Sequence, residues 1–240
     1  MIKNIPIEKV LFLDIETVPQ VEDFSKLSET EQKLWDKKTA RQREEDISAA
    51  DFYGDRAGIM AEFGKIICIS TGFLTLKNNA YQLHIKSFYD DDEKMVLQNF
   101  TSYLNKIHKE KKQLALCAHN GKEFDYPYII RRLLINALNI PALLNLAGKK
   151  PWEITHQDTL EMWKFGDYKN YTSLELLAHV FGIKTPKDDI DGSKVAAVYY
   201  EEKNLKRIVE YCQKDVATLA QLYLKMKGDL GFDANEINFL

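Results

Sequence analysis

The sequence predicts an α/β fold, a mixed sheet flanked by helices with a helical insertion after the first strand. Three observations lead there. The apolar run Val10 to Ile15 (VLFLDI) reads as a buried strand whose C-terminal end carries acidic residues. Two β-rich runs, Lys65 to Leu76 and Tyr81 to Phe88, flank a Lys77-Asn78-Asn79 turn and read as an antiparallel hairpin. After the hairpin, helical and strand-like patterns alternate.

The other elements follow in order. Residues 20–62 are charge-dense with scattered apolar positions, and they read as a helical insertion between the first two strands. It is either a solvated excursion or a lid that guides substrate. Asp90-Asp91-Asp92-Glu93 opens a helix in which Met95, Val96, Phe100, Tyr103, Leu104 and Ile107 recur at helical spacing. Acids at a helix N-terminus favour the macrodipole, so that run has a structural explanation. Gln113 to Ala118 is a further buried strand. Phe124 to Leu138 is helical, with Tyr128, Ile129, Leu133 and Leu134 on its apolar face. Ile154 to Asp158 has the pattern of a short strand. Thr172-Ser173-Leu174-Glu175 opens a helix that Gly182 closes, and a long helix runs from about Glu201 to Lys227. There is no internal repeat and no low-complexity tract.

A chain of 240 residues with 45% hydrophobic and 29% charged residues fits one globular domain over 1–240, able to bury a core without disulfides. The formal charge of −3 argues against a module that only coats nucleic acid, and says little about an enzyme. Cys68, Cys117 and Cys212 form no CxxC pair and read as buried thiols of a reducing compartment. The N-terminal Met-Ile-Lys-Asn-Ile-Pro lacks a signal-peptide run, and no stretch approaches ~18 apolar residues. The expectation is a cytoplasmic protein with no membrane span.

Chemistry is concentrated in acids. Asp14 and Glu16 lie at i and i+2 of a strand, so both carboxylates project from one face of an otherwise apolar segment. Like charges disfavour mutual ionisation, and a divalent cation resolves the conflict. Asp125 follows the strand ending at Ala118 and a Gly-containing turn, and by itself caps a helix as readily as it binds a metal. Tyr211 and Asp215 stand one helical turn apart on the long helix, so they share a face. His119, His156 and His179 have no metal-ligand spacing and read as hydrogen-bonded structural residues.

Together these residues resemble a known family. Leu13-Asp14-Ile15-Glu16-Thr17, then Asn120-Gly121-Lys122-Glu123-Phe124-Asp125, then Tyr211-Cys212-Gln213-Lys214-Asp215 are similar to the three motifs of the DnaQ-like, or DEDD, 3′→5′ exonucleases. That family has an RNase H-like fold. The Tyr-x-x-x-Asp form places the chain in the tyrosine (DEDDy) branch, beside stand-alone bacterial proteins related to the exonuclease domain of family B DNA polymerases. Glu210 stands where the histidine branch has its His. Phe63 to Ser70 (FGKIICIS) also looks like the second strand of that group. The resemblance spans roughly residues 9 to 225.

The resemblance implies two-metal phosphodiester hydrolysis, with two Mg²⁺ or Mn²⁺ ions held by Asp14, Glu16, Asp125 and Asp215. Tyr211 orients the attacking water. Thr17 holds the terminal nucleotide through its backbone amide, Asn120 contacts the substrate strand or braces the site, and Phe124 is either core or a base platform. Asp158 is either a further acid of the site or a turn residue. Arg131, Arg132, Lys149, Lys150, Lys164 and Lys169 are candidate phosphate contacts. Trp163, Tyr168 and Tyr171 interleave with two of those lysines as a single-strand groove requires. The implied substrate is single-stranded nucleic acid, DNA ahead of RNA, with a separate polymerase or repair protein as a further partner. The alternative is a non-catalytic nucleic-acid-binding module on the same fold.

Overall fold

β1 (Val10–Pro19) is central because neither of its faces is left to water. Leu11, Leu13 and Ile15 pack into one core cluster with residues of α3 (Glu93–Glu110) and α4 (Asp125–Ile135). Val10 and Phe12 pack on the opposite face with residues of α8 (Leu205–Met226). By the strand's alternation, Asp14 and Glu16 continue the row that faces α8. The computed structural model describes residues 5–167, 169, 171–184, 190–233 and 236–240. Tyr168 lies outside the described residues.

The sheet has six strands in the order β5-β4-β1-β2-β3-β6. β2 (Gly64–Lys77) and β3 (Ala80–Tyr89) form the expected hairpin. Its turn is made by Asn78 and Asn79 at φ 52° and 64°, where Asn is among the best-tolerated residues. β2 is antiparallel to β1, whereas β4 (Ala115–Ala118) is parallel to it. β5 (Gln157–Asp158) runs parallel to β4, and β6 (Ile237–Phe239) parallel to β3. The mixed sheet with flanking helices is the α/β class expected from the sequence.

Several boundaries differ. β1 does not end near its acids; it continues to Pro19 through a register shift between Glu16 and Thr17. The extra residue is Ile67 of β2, so the bulge lies in β2 opposite the acidic pair, a common device beside active sites. The short strand expected over Ile154 to Asp158 keeps only Gln157 and Asp158, and Asp158 then caps α5 (Thr159–Lys164). The long helix expected from about Glu201 to Lys227 is α8, which starts at Leu205 because Lys203 adopts φ 53° and Asn204 caps it; α7 (Val195–Tyr200) is a separate short helix before it. α6 (Leu174–Val180) is capped by Ser173, with Gly182 at φ 64° beyond its end. Leu134, expected on the apolar face of α4, is 62% exposed.

Residues 20–62 contain α1 (Glu29–Thr39) and α2 (Ala49–Arg56). Ser28 and Glu31 form a reciprocal capping box on α1, and Ser48 caps α2. Trp35, Tyr53 and Phe63 form a buried aromatic cluster with Leu27 and Ala57. The Trp35 indole also donates to Ala49 O at 2.8 Å. The segment therefore carries its own small core and is more than a solvated excursion.

The acidic run before α3 divides its work. Asp92 caps the helix by accepting from Lys94 N–H at 2.9 Å. Glu93 is buried and accepts from Ile66 N–H (2.7 Å), from Arg132 Nε (2.8 Å) and Nη2 (2.5 Å), and from Asn136 Nδ2 (2.8 Å). Arg132 also donates to Ala61 O at 2.8 Å, pinning α4 to the insertion. Arg132 is thus a buried structural cation and is removed from the candidate phosphate contacts.

Candidate active site

Three elements bring the predicted acids together. β1 supplies Asp14, half-buried, and Glu16, 7% exposed. α8 supplies Tyr211 and Asp215 on one face, and the Tyr211 hydroxyl is hydrogen-bonded to the Asp215 carboxylate. The start of α4 supplies buried Asp125, whose carboxylate accepts its own N–H and that of Ile15. The Ile15 contact ties the helix start to the strand midway between Asp14 and Glu16. Asp125 therefore serves its local backbone and also faces the other acids.

The electrostatics follow from that crowding. Burial, then Asp215 and Asp125, hold Asp14 well above the usual carboxylate range. Burial, then Asp14 and Asp215, do the same to Glu16. Asp125 is pushed up to about 7, first by burial and then by Asp158, with the two backbone N–H groups opposing. Burial and then Asp215, Glu16 and Asp14 raise Tyr211 far above the ordinary phenol. It is a protonated hydroxyl that donates, not a base.

Glu16 is 7% exposed, and no hydrogen bond to its carboxylate is found among the described residues; the groups around it are Asp14, Asp215, Asp125, the Cys68 thiol and the Tyr211 hydroxyl. An ionised carboxylate without a partner is costly to bury, and a cation is what the arrangement lacks. The carboxylate oxygens suit a hard divalent ion such as Mg²⁺ or Mn²⁺. The donor set fits the metals that the sequence implied.

The softer candidates sort by their contacts. Thr17 is half-buried and its side chain is hydrogen-bonded to the Tyr128 hydroxyl, which in turn donates to Gly58 O at 2.7 Å. Asn120 adopts φ 61°, and its N–H donates to Asp158 Oδ1 at 3.0 Å. Phe124 packs on the core with its ring 5.3 Å from Tyr128. Asp158 accepts from Asn120, Lys122, Leu160 and Glu161 N–H groups at 2.9 to 3.4 Å, so it is the clasp of the loop that carries Asp125. His119 bridges Thr159 Oγ1 (2.9 Å) and Thr172 O (2.8 Å). His156 accepts from Leu116 N–H (3.2 Å) and donates to Leu143 O (3.0 Å). Both are structural, as expected.

Around the acids, Tyr171 is 66% exposed, close enough to Asp125 and Asp158 to feel their charge. Trp163 is 37% exposed and packs edge-on to Phe181 at 6.0 Å. Arg131, Lys149, Lys150 and Lys169 are exposed, and Lys164 is half-buried. Cys212 was not singled out by sequence reasoning: its thiol donates to Asp14 Oδ2 at 3.3 Å. The signal was its place three residues before Asp215 on the same helix face.

Comparison with known proteins fits this geometry. Residues 59–234 match the model of a family described as a predicted 3′-5′ exonuclease related to the exonuclease domain of PolB. That span includes the Asp125 and Tyr211–Asp215 motifs, while Asp14 and Glu16 precede it. Among solved structures, the chain is similar to the family B DNA polymerase of the hyperthermophilic archaeon Pyrobaculum calidifontis, with a TM-score of 0.51 and 13% identity. The alignment covers 95% of this chain and 26% of the polymerase, and at that identity the likeness concerns the fold. No curated protein matches the chain. No described helix is long and apolar enough to cross a membrane. With most of its length matched by the family model, the chain belongs to the predicted 3′-5′ exonucleases related to the exonuclease domain of PolB.

Proposed function

We propose that the protein is a metal-dependent 3′→5′ exonuclease that hydrolyses single-stranded nucleic acid, DNA in preference to RNA, as one exonuclease domain. The observation that carries the metal dependence is Glu16, buried among acids with no hydrogen bond to its carboxylate among the described residues. Asp14, Glu16, Asp125 and Asp215 would hold two Mg²⁺ or Mn²⁺ ions. When bound, such ions stabilise the attacking and leaving oxygens of a phosphodiester displacement.

The chain's own residues do the rest. The Tyr211 hydroxyl, fixed by Asp215, orients the nucleophilic water rather than taking its proton. Asp158 holds the Asn120–Lys122 backbone, so the loop leading to Asp125 keeps its place. The Thr17 backbone amide, beside the bulge, and the Asn120 side chain contact the terminal nucleotide. Phe124 serves the core first and contributes at most an edge to the substrate. Tyr171 and the exposed Arg131, Lys149, Lys150 and Lys169 supply stacking and phosphate contacts along the strand. The likeness to a polymerase supports action beside a separate polymerase or repair protein.

The test is digestion of 5′-labelled DNA and RNA oligonucleotides with Mg²⁺, Mn²⁺ or EDTA. The expected result is a metal-dependent ladder shortening from the 3′ end. Asp14→Asn should lower the rate by on the order of 10³-fold or more. A variant that digests at the wild-type rate would contradict the metal assignment. Binding of both polymers without cleavage by the wild type would favour a non-catalytic module.

A further inference from the structure

We infer that the groove between α3 and β3, on the face of the sheet opposite the carboxylates, is a docking site for an acidic amphipathic helix of a partner protein. The groove has a volume of about 760 Å³. Alternation along β1 sends Asp14 and Glu16 toward α8, whereas Leu11 and Phe73 line the groove from the α3 side. The groove and the acids therefore lie on opposite faces, and this inference stands apart from the exonuclease reading.

The shape suits a helix. α3 and α4 pack on this face of the sheet, and the groove lies where that helical layer stops short of β3. A further helix laid beside α3 completes the layer. Asn99, Tyr103, Lys106 and Glu110 of α3 line the groove at spacings of three and four, so they form one stripe about 16 Å long. That is about three helical turns, enough to seat a short partner helix. Phe73, Tyr103 and Ile107 are half-buried, and they offer that helix an apolar floor.

The charge specifies an acidic partner. Lys86, Lys106 and Lys111 line the groove against one acidic side chain, Glu110, in a chain of formal charge −3. No ion pair of these lysines occurs among the described residues. Two of them are held over the floor: Lys86 Nζ lies 5.3 Å from the Tyr103 ring centre, and Lys111 Nζ lies 4.9 Å from that of Phe73. Lys111 also donates to Glu8 O at 2.9 Å. Cations already fixed lose little freedom when a carboxylate meets them. Asp90, Asp91 and Asp92 follow Tyr89 at one end of the groove, so the partner's acids belong at the Lys106–Lys111 end. The same contacts disfavour nucleic acid, because stacked bases need free ring faces. His84 stacks on Phe73 with centres 5.0 Å apart, and Lys111 lies over the same ring.

The probe is a fluorescein-labelled helical peptide of about 18 residues, with leucine and phenylalanine at every third or fourth position and glutamates beside them. A second peptide carries glutamine, and a third lysine, in place of glutamate. Fluorescence anisotropy with the full chain in EDTA should show one-to-one binding of the glutamate peptide that weakens as salt rises. The double variant Lys86→Glu, Lys106→Glu should bind it at least about tenfold more weakly and should gain the lysine peptide. A gain of binding does not arise from a misfolded variant. Amide resonances of Lys86, Tyr103 and Lys106 should shift, while those of Asp14 and Glu16 stay in place. Equal binding of the glutamate and glutamine peptides, a glutamate-peptide Kd above about 1 mM, or shifts that map elsewhere would overturn the docking site. So would a single-stranded oligonucleotide that displaces the peptide and shifts the same amides, which would make the groove a nucleic-acid track.

Discussion

Glu93 and Glu16 are equally hidden, each 7% exposed, and their surroundings are opposite. Glu93 accepts four hydrogen bonds, two of them from the buried Arg132 guanidinium. Glu16 has Asp14, Asp215 and Asp125 for electrostatic neighbours. Burial alone therefore does not separate a structural acid from a chemical one; the donors around it do. A satisfied acid joins elements, here β2, α3 and α4. An unsatisfied one stores repulsion that a cation relieves.

The largest test of that contrast removes the charge of the satisfied acid. Glu93→Gln leaves Arg132 buried without its counter-ion and should cost about 3–5 kcal/mol of stability. Urea unfolding measures it, and a loss under 1 kcal/mol would mean that the pair is structurally idle.

A second satisfied group sharpens the same side. His156, with both ring nitrogens bonded to backbone, is held neutral and lowered to about 4 by burial. The unfolded chain takes up a proton near pH 6.5 that the native chain refuses until about 4, so the stability this group contributes falls as pH drops through that window. The free-energy difference between wild type and His156→Asn should shrink by about 2 kcal/mol from pH 7 to pH 5. A difference that stays constant with pH would show that the imidazole titrates normally.

On the unsatisfied side, Tyr211→Phe removes one hydroxyl and no charge. Turnover should fall about 10- to 100-fold, as for a misplaced nucleophile. Metal-induced stabilisation should survive, since the carboxylates remain. Unchanged turnover would make Tyr211 a packing residue.

Much of this contrast was legible in the sequence. Asp14, Glu16, Asp125, Tyr211 and Asp215 announce themselves because strand and helix periods predict shared faces, and the structure places those side chains together. The hairpin was legible from Asn78 and Asn79. What was not legible depends on distant partners. Arg132 looks like a surface cation until Glu93, 39 residues earlier, is seen beside it. Trp35, Tyr53 and Phe63 look scattered until two helices fold them into one cluster. β6 is three residues that pair with the edge of β3, with Ile237 packed against the cluster between β3 and α8. The bulge of β2 opposite Glu16 follows from its pairing with β1, which no local period encodes. Asp158 was ambiguous because its four N–H donors come from two separate segments.

The smallest expected effect is also the most direct test, because its sign is opposite to the usual result of a buried substitution. Thermal unfolding of wild type and Glu16→Gln should be compared in EDTA and in Mn²⁺. Removing a repelled carboxylate should stabilise the metal-free protein by about 1 kcal/mol, a rise of roughly 2–4 °C in melting temperature. Mn²⁺ should raise the wild type by mass action and the variant much less. A variant that melts below wild type in EDTA, and gains as much from Mn²⁺, would contradict the claim that Glu16 is held for a cation.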